Sequence, residues 1–113
     1  MHRGLRMRLD REPDIRVVAN ADNVGAAAET IASSCPDIVL VDPMLLGLDP
    51  AVAVRNVVRN CAGARVVILS LHDDGESRDR AMAAGATAFV SKHERTERLL
   101  EVIRRVAQGD DEP

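Results

Sequence analysis

Apolar positions along the chain follow two patterns: short unbroken runs of β-branched and aliphatic residues, and longer stretches where they recur three and four apart. Ile38 to Val41 is the clearest unbroken run, and the absence of polar alternation is what a parallel strand covered on both faces requires. Arg65 to Leu71 (RVVILSL) and Ala88 to Ser91 repeat it, and Ile15 to Ala21 (IRVVANA) is a further strand candidate. Helical spacing separates these runs. Leu5 and Leu9 mark one face of Met1 to Glu12, while Val24, Ala27, Ala28, Ile31 and Cys35 mark the face of the next helix. Val54, Val57, Val58 and Cys61 point inward from Pro50 to Ala62, and Leu99, Leu100, Val102, Ile103, Val106 and Ala107 make Thr96 to Gln108 strongly amphipathic.

Turn and cap residues punctuate the pattern where these elements require it. Pro13 and Pro36 stop helices, Asp22 is placed to cap one, and Asp49-Pro50 is a strong start signal, with Asp as N-cap and Pro at the first helical position. Strand Asp37 to Asp42 ends at Pro43, which has no backbone donor to continue the pairing. Gly47 supplies a flexible turn, and Gly63 and Gly85 are expected to close helices. Between the last two strands, the polar loop His72 to Gly75 leads into Glu76 to Ala84. That helix has only Ala81, Met82 and Ala84 to bury, so it is predicted to be the most loosely attached. Asp73 and Asp74 are placed to cap it, and the acidic end Gly109 to Pro113 reads as a frayed tail.

Four strand-helix units in alternation predict an α/β fold, a parallel sheet with helices on both faces. In such sheets functional groups gather at the carboxyl ends of the strands. Those ends carry Asp42, Ser70 and Lys92, so a carboxylate, a hydroxyl and an ammonium are expected on one rim. A carboxylate there can attack phosphorus to give an acyl phosphate, while a lysine and a hydroxyl offer charge and a hydrogen bond to the phosphoryl oxygens.

Composition narrows the class. At 113 residues the chain is one domain, and its 46% apolar and 29% charged content is that of a folded soluble protein. A net charge of -3 argues against a dedicated nucleic-acid binder. No apolar run is long enough to span a bilayer and no signal segment opens the chain, which places it in the cytoplasm. Cys35 and Cys61 lie outside any CxxC spacing and read as reduced, half-buried thiols, and the three histidines show no metal-ligand spacing. Lys92 is the one lysine among 15 basic residues, which suggests it is present for its chemistry, and Phe89 is the one aromatic residue. With no base-nucleophile pair and no glycine-rich phosphate loop, an enzyme is not expected.

The segments REPDIRVVANADN, PDIVLVDPMLLGLD, ARVVILSLHDD and AGATAFVSK resemble the receiver domain of two-component response regulators, most closely those preceding LuxR-type DNA-binding domains. The likeness runs from Gly4 to Gly109 and implies a CheY-like, flavodoxin-like sheet. It implies that Asp42 is the phosphoacceptor, Ser70 the switch hydroxyl, Phe89 the switch aromatic and Lys92 the phosphate-binding lysine. It further implies a sensor histidine kinase as partner and Mg as cofactor, with Asp42 and the Met44 backbone carbonyl among its ligands.

Family receivers begin with a central strand that ends in an acidic pair for magnesium, in sheet order 2-1-3-4-5. The first residues here match the first helix instead, so the expected unit is an N-terminally truncated receiver spanning residues 1-109, with 110-113 as its disordered tail. Ile15 to Ala21 must then pair directly with Asp37 to Asp42, take a strand from another chain, or stay loose. Open strand edges, or the face of the last helix, would favour a homodimer. A coding start placed too late explains the same departure. Two alternatives to a working receiver stand: a phosphorylation-independent interaction module, and a fragment of a LuxR-type transcription regulator.

Overall fold

The structure is a computed structural model that describes residues 3-17, 23-71 and 75-109. In chain order the elements are helix α1 (Arg3–Asp10), α2 (Val24–Ser34), strand β1 (Ile38–Val41), α3 (Pro43–Leu46), α4 (Pro50–Asn60), β2 (Arg65–Ser70), α5 (Gly75–Ala83), β3 (Ala88–Ser91) and α6 (Thr96–Ala107). Among the described residues the strands form one parallel sheet in the order β1-β2-β3. Ile38 lies opposite Arg65 and Val41 opposite Ile68, and the next pair runs from Val67 opposite Ala88 to Ser70 opposite Ser91.

Alternation along these strands feeds two cores. Val41, Val66, Ile68 and Phe89 face one side, where they pack with Ile31 of α2, Ala53, Val54 and Val57 of α4, and Ala81 of α5. Val67, Ala88 and Val90 face the other, against Leu9 of α1 and Leu99, Leu100, Val102, Ile103 and Val106 of α6. Helices thus cover both faces, and Val66 to Leu69 of β2 and Ala88 to Val90 of β3 are apolar without interruption. β1, at one margin of the described sheet, is buried only at Val41, with Ile38, Val39 and Leu40 half-buried.

Several expectations need correction. Ile15 to Val17 form no strand. The Ile15 N–H closes a turn on the Glu12 carbonyl at 3.2 Å, and Ile15 and Val17 fill the margin of the α1–α6 core. The rest of that candidate, and Asp22, lie outside the described residues. The cap of α2 is Asn23, whose side-chain oxygen accepts from the Ala26 N–H at 2.8 Å. Gly63 does not close α4; Cys61 does, its N–H donating to the Val57 carbonyl at 2.9 Å. Val58 is exposed, because a helix turns about 100° per residue and carries it past the arc of Ala53, Val57, Cys61 and Val54. Ala107 is exposed in the final turn of α6, as are Gln108 and Gly109. Cys35 and Cys61 are joined as a disulfide, with their Cα atoms 5.6 Å apart, where reduced thiols were expected. Asp73, Asp74 and the tail 110-113 lie outside the described residues.

Candidate functional site at the carboxyl rim of the sheet

Strand register brings the three rim groups together. Extending it one residue past Val41 and Ile68 sets Asp42 level with Leu69 and Val90, with Ser70 and Ser91 one step further and Lys92 one step beyond them. One step is about 3.3 Å, so a lysine side chain easily spans the offset. The Lys92 N–H donates to the Ser70 carbonyl at 2.8 Å, which prolongs the β2–β3 ladder and fixes the lysine backbone. From there Lys92 Nζ forms an ion pair with Asp42 Oδ2, with the Asp42 side chain 9% exposed and that of Lys92 26%. A largely buried carboxylate and its counter-ion therefore meet at the rim.

Asp42 has a second task. Its Oδ1 accepts from the Met44 N–H at 3.1 Å, which caps the four-residue helix α3 with Pro43 at its first position. Asp49-Pro50 starts α4 in the same way, Asp49 Oδ2 accepting from the Ala51 N–H at 3.0 Å. Asp-Pro occurs twice in DIVLVDPMLLGLDP, and both copies start a helix. Within this turn the Met44 carbonyl accepts from the Gly47 N–H at 3.2 Å and the Pro43 carbonyl from Leu48 at 2.9 Å. Gly47 closes the turn at φ 68°, where a side chain would be strained.

Ser70 is 3% exposed and Phe89 5%, so both are buried. Phe89 lies on the α4–α5 side, packed rather than poised at the surface, and Arg78 donates to its carbonyl at 3.4 Å. Ser70 also borders an open cleft of about 440 Å³ whose walls include Met44, Leu48, Ser77 and Arg80. Arg80 closes part of it through an ion pair with Asp49 at 3.2 Å, tying α5 to the start of α4.

The model of the response regulator receiver domain matches residues 1-104. The chain belongs to that family. This receiver is 28% identical over 106 residues to the transcriptional regulatory protein DegU of Brevibacillus brevis, covering 94% of this chain and 45% of that protein. It is 23% identical over 107 residues to LiaR of Bacillus subtilis (strain 168), covering 95% and 51%. The receiver spans about half the length of these curated relatives. Among solved structures, a LuxR-family two-component response regulator from Aurantimonas sp. SI85-9A1 superposes with a TM-score of 0.87 at 30% identity, over 96% of this chain and 77% of that one. The signal receiver domain of the putative response regulator NarL from Mycobacterium tuberculosis gives 0.83 at 29%, over 94% and 86%. A response regulator protein from Burkholderia pseudomallei, solved with a phosphorylated aspartic acid, calcium ion and citrate, gives 0.74 at 19%, over 94% and 66%, a likeness of fold alone.

The receiver is thus a signalling domain with the CheY-like α/β architecture. Its described residues hold three parallel strands, fewer than the five of the full sheet. Receiver domains bind a divalent metal, and here the donor set can be tested against one. Asp42 already pairs with Lys92 and caps α3, the Met44 carbonyl is engaged in its own turn, and the described residues hold no cluster of three acidic, histidine or cysteine groups. Among the described residues the rim offers the Asp42 carboxylate and the Met44 carbonyl as oxygen donors. No described helix is long and apolar enough to cross a membrane.

Proposed function

We propose that the unit formed by residues 1-109 accepts a phosphoryl group on Asp42 from a phosphohistidine of a sensor histidine kinase, in the cytoplasm, and relays that event through its surface. The Lys92–Asp42 ion pair, formed across β2 from the carboxyl ends of β1 and β3, carries this reading. A carboxylate oxygen of Asp42 attacks phosphorus, the P–N bond breaks, and the imidazole nitrogen leaves with the electron pair and takes a proton. The product is an acyl phosphate. Lys92, already held by its backbone bond to Ser70, keeps a positive charge beside the new phosphoryl oxygens, and the Ser70 hydroxyl offers one of them a hydrogen bond. Phe89, three residues before Lys92 on the same strand segment, would transmit the change as a repacking between β3 and α5. The half-buried margin of β1 and the outer face of α6 are the surfaces offered to a second copy.

A second reading has its own support. Asp42 caps α3 and pairs with Lys92 whether or not it is ever phosphorylated, a structural role that a phosphorylation-independent interaction module would keep. One experiment separates the two. The chain is incubated with acetyl phosphate and excess magnesium and its intact mass is measured. The receiver reading expects one added phosphoryl group that is absent from Asp42→Asn, and no adduct with donor in saturation favours the interaction module.

A further inference from the structure

Cys35 and Cys61 sit at matching places. Each is the first residue beyond a helix, Cys35 donating its N–H to Ile31 at the end of α2 and Cys61 to Val57 at the end of α4, and their sulfurs are bonded. Both precede strands, so the bond lies at the amino-terminal rim of the sheet, opposite the rim that carries Asp42 and Lys92.

Three observations set this pair apart from two cysteines that happen to be close. Cys35 has φ 39°, the one left-handed non-glycine among the described residues, at a helix end where glycine is the relaxed choice. Cysteine tolerates that backbone only at some strain, and its side chain there is what reaches Cys61. Exposure is also unequal, with Cys35 exposed and Cys61 5% exposed within the α2–α4 core. A buried thiol packs as a small apolar group, so Cys61 has a tolerable environment in either redox state. Finally, α2 is poorly anchored otherwise. Of its described side chains, Ile31 alone is buried.

We propose that Cys35 and Cys61 form a reversible thiol–disulfide site whose oxidised state fastens α2 to α4. The reductant is a thiol, the oxidant a disulfide, of the glutathione class. In reduction an external thiolate attacks the sulfur of Cys35, the more exposed residue of the pair, the Sγ–Sγ bond breaks, and the Cys61 sulfur leaves with the electron pair and takes a proton. A second external thiolate then attacks the outer sulfur of the mixed disulfide, releasing the Cys35 thiolate and one molecule of oxidised reagent. Two electrons pass from two thiols to the protein. Oxidation is the reverse, consuming one external disulfide and releasing two thiols. Helix carboxyl ends oppose thiolate formation, so exchange is expected to be slow rather than peroxide-triggered.

The full chain is equilibrated in glutathione buffers from fully reduced to fully oxidised, starting from each extreme, then acid-quenched, alkylated and weighed intact. The expected result is two alkyl groups at the reduced end, none at the oxidised end, and the same midpoint from both directions. Amide exchange of residues 24-34 should accelerate at least about tenfold on reduction while β2 and α6 are unchanged, since local openings are set by local packing. Cys35→Gly, which relaxes the left-handed turn and removes the exposed sulfur, should show no redox dependence of exchange. Two alkyl groups in every buffer, glutathione retained on the protein at the oxidised end, or a disulfide that persists at the reduced end would each overturn the proposal. No phosphoryl donor enters this test, so its outcome is independent of whether Asp42 is phosphorylated.

Discussion

Lys92 and Asp42, 50 positions apart in sequence, meet as an ion pair because β1 and β3 flank β2 in one parallel sheet. Sequence spacing offers no hint of this contact; strand order and register create it. The pair is also unequal, since the carboxylate is the more buried partner and is held by the α3 cap as well.

That inequality predicts how substitutions should rank. Lys92→Met strips the counter-ion from a carboxylate that is mostly out of water, and should lower the urea-derived stability by about 1–3 kcal/mol, between the values for exposed and buried pairs. Asp42→Asn should be milder, because the amide oxygen can still accept from Met44 and the lysine can turn to solvent. The double variant should recover part of the Lys92→Met loss, and a double-mutant cycle with no coupling would show that the pair does not form.

The crosslink predicts a second, larger effect. Cys35 and Cys61 enclose a loop with a sequence separation of 26, and the chain-entropy account gives roughly 3–4 kcal/mol for a loop of that size. The oxidised chain should therefore melt well above the reduced one by calorimetry, while Cys61→Ala should melt at the same temperature in both buffers.

The parallel sheet, both helix layers and the rim trio were legible because each rests on a long-lived local signal: unbroken apolar runs for β1, β2 and β3, and an apolar stripe for α6. What escaped depends on contacts between distant segments or on overlapping signals. Asp42-Pro43 carries the same start signal as Asp49-Pro50, but it also ends a strand, and that overlap hides α3. Val58 and Ala107 have the residue type of a core position; Val58 lies outside the arc that the sheet covers, and Ala107 lies on the buried stripe of α6 but in its exposed last turn. The disulfide was invisible because Cys35 and Cys61 share no spacing motif; they meet only when α2 and α4 pack side by side. Ile15 and Val17 have strand propensity, yet pack as an irregular segment, since burial against α6 satisfies their side chains without a ladder.

Phe89 allows the core to be tested apart from the chemistry. It is 5% exposed among Val41, Val54, Ile68 and Ala81, with no other aromatic in the chain to share the volume. Phe89→Ala should cost about 3–5 kcal/mol by chemical denaturation, and Phe89→Leu much less. If Phe89 also repacks on phosphorylation, Phe89→Leu should keep acetyl-phosphate labelling of Asp42 while altering any oligomerisation that follows it.

The contact between α1 and α6 predicts an acid-sensitive seam. Arg104 near the end of α6 donates to Asp14 at 2.8 and 3.1 Å and to Glu12 at 2.6 Å, and Arg8 adds a bond to Glu12 at 2.7 Å. These guanidinium bonds hold both carboxyls below their ordinary values, chiefly through Arg104 in each case, and raise Arg104 in turn. A carboxylate whose folded value is depressed binds fewer protons in the folded than in the unfolded chain. Its contribution is therefore complete above the unfolded value and disappears as pH falls through the folded one, below the ordinary carboxylate range for these two groups. The urea midpoint should fall more steeply between neutral pH and that range in the native chain than in Arg104→Gln, and the two curves should converge in strong acid. Since all three groups lie at the surface, high salt at neutral pH should narrow the same gap. A difference between the two proteins that stays constant across the acid range would mean that Arg104 acts through packing rather than through Glu12 and Asp14.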